Sequence, residues 1–446
     1  MIGRVLAAAS RVLLAVFYRR IDVIGLSRVP RESPLVVVAN HHNALVDALL
    51  LLGALPRTLR PIAKAPLFRY PVLGLLLRLA GAIPVHRRHE SEAGPDRNAV
   101  AFARVAALLG AGEAIVVFPE GVSQPEPLLM PLRTGAARLV LDAEQRHAGA
   151  LGVTVLPVGL VYEEPGTFRI GRALVLVGEP VPMRDLVARY AAEPIPTVRA
   201  LTDRIAAALR ALVIEAEDRR TLRLMGAVER LWTMSEARDP ASRAAWMRRV
   251  MAGYTRLRQE APARVARFRE ELERYEKERE IAGLDAPLLR TYPVAQVLRY
   301  AVREGASLVL GAPLALWGVV VHAMPYHVTR LIVRLLRAED DMVATLKLVV
   351  GVLVYPIFWA AETWVVARLA GAVAAMAFVI TLVPTGFLAL TWHARLTRFR
   401  AQALGFLAFL FRPDLHRRLL AQRDALRAEL DALARMAEPE SSERPA

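Results

Sequence analysis

Apolar and polar positions follow two rhythms along this chain. Short apolar runs at 35–39, 59–63, 82–85, 114–118 and 153–161 read as strands. Between them, 44–55, 71–79, 97–109 and 134–147 carry apolar residues at helical spacing. This alternation predicts an α/β domain over 21–190, a mostly parallel sheet flanked by helices. Residues 21–26 add a short early strand, and 168–178 a late one with a bend at Gly171. Before the domain, Val5, Leu6, Ala9, Val12, Leu13, Val16 and Phe17 recur at helical spacing, so 1–20 reads as an amphipathic helix resting on a membrane or on the domain. Arg4 and Arg11 leave its apolar part too short to span a bilayer, and no small-residue cleavage site closes it as in a secretory signal.

After the domain the pattern changes twice. Residues 191–304 form a charged helical region, in which 261–282 reads as a long solvated helix with many i,i+4 pairs. Residues 305–402 are apolar and predict a membrane-associated region. Within it, 307–321 is short and interrupted by Pro313, so it reads as re-entrant or interfacial. Stretches 343–361 and 369–392 each approach the roughly 20 residues needed to cross a bilayer. Only 362–368 separates them, which predicts a helical hairpin. Arg330, Arg334, Arg337 and Lys347 flank one end, and Arg395, Arg398 and Arg400 the other, so both ends are expected in the cytoplasm. Residues 403–446 read as a charged helix and a disordered tail.

Composition sharpens this picture. The 446 residues carry a formal net charge of +16, and all but three of the 59 basic residues are arginine. Such an excess suits anionic partners: phosphates, nucleic acid or anionic lipid. Acidic and basic residues are mixed through 261–282, which argues against a stripe that tracks a nucleic-acid backbone. A hydrophobic content of 55% points to lipid. Cysteine is absent, which excludes disulfides, thiolate metal sites and thiol acyl-enzyme chemistry.

The candidate chemistry sits where the run 35–39 ends: Asn40-His41-His42-Asn43-Ala44-Leu45-Val46-Asp47. On one continuous helix His42 and Asp47 would lie roughly 140° apart and could not meet. They meet if the histidine is still in the loop and Asp47 is in the first helical turn, with Asn43 as its N-cap. The carboxylate then holds one imidazole nitrogen and leaves the other to take a proton. By this argument alone either histidine qualifies. Adjacent histidines seldom aim at one ion and no further ligand cluster is visible, so no metal is expected. There is no G-x-S-x-G elbow, since Gly121-Val122-Ser123 lacks the second glycine, and no P-loop or H-E-x-x-H.

Four such segments, in order over about 20–185, resemble the glycerophospholipid acyltransferases. Residues 40–47 resemble the His-x4-Asp block of that family. Gly81-Ala82-Ile83-Pro84-Val85-His86-Arg87 is similar to its Gly-x-Ile-Pro-Val-x-Arg block. Phe118-Pro119-Glu120-Gly121-Val122-Ser123 resembles Phe-Pro-Glu-Gly-x-Ser, and Val155-Leu156-Pro157-Val158-Gly159 its proline-centred fourth block. Lys64-Ala65-Pro66-Leu67-Phe68 fits the basic-then-apolar segment before the second block. The resemblance implies His42 as the base, because four residues separate it from Asp47. It implies that Arg87, Lys64, Glu120, Gly121 and Ser123 shape a phosphate-bearing acceptor site, with Arg133 and Arg138 either adding positive field or lying on a solvated helix face. Residues 306–350 resemble the tail of glycerol-3-phosphate and dihydroxyacetone-phosphate acyltransferases.

The implied function is a membrane-bound acyltransferase with a cytoplasmic catalytic domain at the cell membrane. It would take a fatty acyl group from an acyl thioester, on coenzyme A or a carrier protein, without a cofactor. The acceptor is a phosphorylated glycerol, glycerol 3-phosphate ahead of lysophosphatidate, and no nucleic acid is involved. A non-catalytic membrane scaffold would need the helices but not His42, Asp47 or Arg87.

Overall fold

The computed structural model describes residues 2–86, 96–124, 126, 128–162, 172–213, 219–232, 240–281, 294–336, 342–411 and 413–437. The chain divides into two compact units: Met1–Glu215 with Thr329–Leu353, and Ala216–Val328 with Val354–Ala446.

The first unit opens with α1 (Ile2–Phe17) and β1 (Arg20–Ile24), followed by β2 (Leu35–Ala39), α2 (Ala44–Ala54), β3 (Leu59–Lys64), α3 (Pro71–Leu79), β4 (Ile83–Val85), α4 (Asp96–Gly110) and β5 (Ala114–Val117). Then come α5 (Gly135–Arg146), β6 (Thr154–Tyr162), β7 (Arg172–Val177), α6 (Arg184–Tyr190) and α7 (Pro194–Arg210). The strands form one seven-stranded sheet in the order β1-β7-β6-β2-β5-β3-β4. Every neighbouring pair is parallel except β6 with β7. The expected bend at Gly171 lies outside the described residues.

The central strands are buried on both faces, and alternate residues serve opposite layers. Val36, Val38, Ile115, Val117 and Val155 pack under α4, α5 and α7. Leu35, Val37, Ala39, Val116, Leu156 and Val158 pack under α1 and α2. Fully buried leucines such as Leu50 and Leu51 contribute about 2 kcal/mol each by leaving water. The α1 helix rests on the domain: Leu14 and Phe17 join the second layer, whereas Val5 and Val12 stay 61% and 57% exposed. Ala344 and Leu348 of the late segment are buried in that same layer.

The second unit contains α8 (Arg219–Trp232), α9 (Pro240–Glu260), α10 (Pro262–Ile281), most of α11 (Val294–Leu335) and of α12 (Val343–Phe411), and α13 (Pro413–Ala437). Ion pairs Arg220–Glu273, Arg230–Glu276 and Arg264–Glu429 tie α8 to α10 and α10 to α13. Two stretches, Leu298–Leu335 and Val343–Leu404, are long and apolar enough to cross a bilayer.

Here two expectations are corrected. Pro313 does not shorten the first apolar segment, because α11 runs through both Pro313 and Pro325. Proline removes one N–H but leaves most of an apolar helix's bonds intact. The expected turn at 362–368 is helical, and α12 breaks instead at Gly371, where φ is 85° and ψ is 174°. That region of φ favours glycine. A straight helix would hold Trp359 and Leu382 roughly 35 Å apart. Both bond the imidazole of His322, through Trp359 Nε1 to Nδ1 at 3.4 Å and Nε2 to the Leu382 carbonyl at 2.9 Å, so the chain folds back between them.

Candidate active site

The site lies at the carboxyl edge of the sheet, where β2, β5 and β6 end side by side. Asn40 closes β2 and is fully buried. Its Nδ2 donates to the Leu160 carbonyl at 2.8 Å and its Oδ1 accepts from the Leu160 N–H at 2.7 Å, extending the pairing to β6 by one side chain. This bracket fixes where the loop leaves the sheet.

His41 is the next residue. Its backbone N–H donates to Glu120 Oε1 at 2.7 Å. Its ring stacks on Phe118, with centroids 4.1 Å apart and planes 15° from parallel. Its Nδ1 meets Asp47 Oδ2 at 2.8 Å. The same Oδ2 accepts the N–H groups of His42 and Asn43, both at 2.8 Å, and Oδ1 accepts the Tyr162 hydroxyl. Asp47 is fully buried, and these donors compensate a carboxylate that has left water. With Nδ1 donating to Asp47, the lone pair of His41 falls on Nε2, which has no hydrogen-bond partner among the described residues.

This pairing corrects the expectation drawn from the spacing of four. Asp47 takes the ring of His41 and only the backbone of His42. The His42 ring turns away, its Nδ1 donating to the Gln124 carbonyl at 3.2 Å. Burial lowers its pKa, which favours the neutral form. The physical reason is that Asp47 Oδ2 collects two consecutive loop N–H groups. Residue 42 therefore sits over the carboxylate by its backbone, and its side chain points elsewhere.

Asn43 precedes α2 but does not cap it with its side chain. That side chain donates to the Tyr18 hydroxyl at 3.0 Å, and Tyr18 stacks on Tyr162 at 5.8 Å. Both phenols are pushed to higher pKa by burial first and then by the charge of Asp47. The first N–H groups of α2 find other acceptors: Ala44 N–H donates to Ser123 Oγ at 2.9 Å, and Leu45 N–H to Thr345 Oγ1 at 3.1 Å. Ala44 itself holds a φ of 42°, an unfavourable region for a residue with a side chain.

Glu120 is buried, and its two oxygens take the N–H groups of His41 and Met130, the second at 3.0 Å. Burial pushes its carboxyl up to about 7 despite both donors. It braces the His41 loop from within. Gly121 has a φ of 70°, and a Cβ there would lie 2.8 Å from Arg133 Cδ, so the exposed Arg133 side chain lies across this turn. Arg138 is elsewhere, on the exposed side of α5 within electrostatic reach of Tyr190. Lys64 closes β3 in register with Val85, placing it at the same edge. Arg87 lies outside the described residues. The structure thus gathers Asp47, Glu120, Gly121 and Ser123 around His41. The sequence reading did not select Asn40, Tyr162 or Thr345. The asparagine directly before His41 was the one available signal.

The Acyltransferase family profile matches residues 20–161. An uncharacterized acyltransferase of Schizosaccharomyces pombe is 24% identical over 360 residues, covering 61% of this chain and 53% of the relative. The 1-acyl-sn-glycerol-3-phosphate acyltransferase alpha of Bos taurus is 31% identical over 37% of this chain and 56% of its own length. Glycerol-3-phosphate O-acyltransferase 1 of Saccharomyces cerevisiae is 31% identical over 34% of this chain and 21% of its own. The chain thus spans about half, or less, of the length of these curated relatives. The solved 1-acyl-sn-glycerophosphate acyltransferase of Thermotoga maritima aligns with 44% of this chain and 80% of its own at 22% identity and a TM-score of 0.33. The segment that matches the Acyltransferase profile, residues 20–161, is the one that carries the His41–Asp47 pair.

Proposed function

We propose that this chain is a membrane-bound O-acyltransferase that moves a fatty acyl group from an acyl thioester to a hydroxyl of a phosphorylated glycerol. The observation that carries the reading is the His41 imidazole, held through Nδ1 by a buried carboxylate with Nε2 left to accept a proton. In the proposed reaction His41 Nε2 takes the acceptor's hydroxyl proton as the oxygen attacks the thioester carbonyl. The tetrahedral intermediate collapses, the C–S bond breaks, and the imidazolium returns the proton to the leaving thiolate. Asp47 stabilises that imidazolium and holds its tautomer. The products are an ester and a free thiol.

Arg87 keeps its sequence-based assignment as the bidentate anchor of the acceptor phosphate, with Lys64 and Arg133 adding positive charge at the same edge. Glycerol 3-phosphate is the proposed acceptor. Lysophosphatidate is the second reading, favoured by the similarity to the mammalian 1-acylglycerol-phosphate enzymes at the same 31% identity as to the yeast glycerol-3-phosphate enzyme. The long apolar helices are proposed to anchor the chain in the cell membrane with the catalytic unit in the cytoplasm, where acyl thioesters are made.

The test is an acceptor panel. Purified protein in detergent receives one labelled acyl thioester and either glycerol 3-phosphate or lysophosphatidate. Transfer to glycerol 3-phosphate at the higher kcat/KM supports the first reading, and the reverse order the second. Transfer to neither removes both.

A further inference from the structure

We infer that the catalytic unit is discontinuous, and that Thr345, at the start of α12, is a positioning residue for the His41–Asp47 pair. The inference rests on the acyl-transfer reading above and adds to it a residue far outside the segment that matches the family.

A helix begins with N–H groups that have no partner within the helix. In α2 these lie directly beside the catalytic loop. The residue placed to cap them locally, Asn43, spends its side chain on Tyr18. Two hydroxyl oxygens from distant parts of the chain take over: Ser123 accepts from Ala44, and Thr345 accepts from Leu45 across 300 residues. Leu45 is flanked by the strained Ala44 on one side and leads within two residues to Asp47. The N–H groups of Ala44 and Leu45 are therefore held by these two distant hydroxyls, while that of Val46 donates locally to the Asn43 carbonyl at 2.9 Å.

Asp47 makes that placement matter. Its Oδ2 receives the His41 ring and two loop N–H groups at the same 2.8 Å. A turn that tilts or frays moves one carboxylate oxygen relative to all three donors together. Thr345 is itself buried, and so are Ala344 and Leu348, which share a core layer with Val46, Leu50 and Leu51 of α2. Segment Thr329–Leu353 accordingly belongs to the same compact unit as Met1–Glu215. The hydroxyl is thus delivered by a packed helical turn, not by a mobile side chain.

The test compares full-length Thr345→Val, which keeps the shape and removes the hydroxyl, with Thr345→Ser, which keeps the hydroxyl. Acyl transfer and amide hydrogen exchange of peptides covering 44–47 are both measured. Thr345→Val is expected to lower kcat about 10²-fold, the scale of a small misplacement of a catalytic group, with both KM values within about 2-fold of wild type. Its 44–47 amides should exchange at least ~10-fold faster. Thr345→Ser should stay within about 3-fold of wild type in both readouts. If Thr345→Val does not fold, Thr345→Ala against Thr345→Ser poses the same question. Unchanged kcat and exchange on loss of the hydroxyl would overturn the inference, and so would equal loss in the serine variant. An inactive wild type would overturn the acyl-transfer reading alone, because the exchange comparison stands without an assay.

Discussion

Replacing each of the two adjacent histidines by alanine separates their roles. His41→Ala removes the ring that bridges Asp47 and, in the proposed reaction, the hydroxyl proton. A positioned base is worth about 10²–10⁴ in rate, or about 3–5 kcal/mol of barrier. His42→Ala leaves untouched what residue 42 gives the site, because its contribution to Asp47 is a backbone N–H at 2.8 Å that any residue supplies. The ring contributes one bond to the Gln124 carbonyl at 3.2 Å, worth about 1 kcal/mol of stability. His42→Ala should therefore retain turnover within ~10-fold of wild type. The assay follows labelled acyl transfer under saturating thioester and acceptor, on protein whose thermal melt confirms folding. Asp47→Asn should be as damaging as His41→Ala, since one carboxamide oxygen cannot serve the donors that two carboxylate oxygens now receive. A larger loss in His42→Ala than in His41→Ala would refute the assignment and restore the histidine chosen by spacing.

Tyr162→Phe removes a donor from a fully buried carboxylate; it should cost about 1–3 kcal/mol in stability by denaturant titration and lower kcat more than it changes either KM. Glu120 titrates near 7 in the folded protein against 4.5 ordinarily, so the folded state binds its proton more tightly than the unfolded state does. The stability of wild type relative to Glu120→Gln should therefore fall by on the order of 3 kcal/mol as pH rises from about 4.5 to about 7 and stay level above; a difference that grows with pH contradicts this. Arg87→Ala should raise the KM for the phosphorylated acceptor, with Arg87→Lys rescuing it in part; an effect on the thioester KM alone would move Arg87 to the donor site. The cysteine-free chain suits labelling with an impermeant thiol reagent: Ala372→Cys, beside the break at Gly371, should react in intact spheroplasts and Thr397→Cys only after lysis. Reaction of both only after lysis would remove the spanning hairpin.

The sheet and its helices were legible because burial on both faces writes itself into the sequence as uniform apolar strands between amphipathic helices. Helix α3 begins and ends where the pattern placed it, since Pro71 starts it. The apolar tail was harder. Pro313 and Pro384 look like breaks, yet each removes only one backbone N–H, and the helix continues on both sides. At the site, spacing located the loop but not the ring that Asp47 holds. Residue counts fix how far a side chain lies along a helix, whereas the direction of His41 and His42 depends on a loop folded over Asp47. The capping expectation for Asn43 failed because Tyr18 competes for its side chain. Thr345 left no local trace, because its partner is 300 residues away.

That long contact also orders the birth of the molecule. Domains of a growing chain generally fold as they emerge, and a β-rich unit whose segments are adjacent in sequence can finish early. Here the hydroxyl that holds Leu45 is translated 300 residues after its partner, at the threshold of the apolar hairpin. Closing so long a loop adds little to the entropic cost, which grows only logarithmically with length, but it sets a time before which the closure cannot occur. A nascent chain that already displays His41 and Asp47 still lacks the turn that steadies them until its first hairpin arm begins to appear. If the proposed function holds, synthesis would bring the steadied His41–Asp47 pair and the apolar hairpin into being within about the same few seconds.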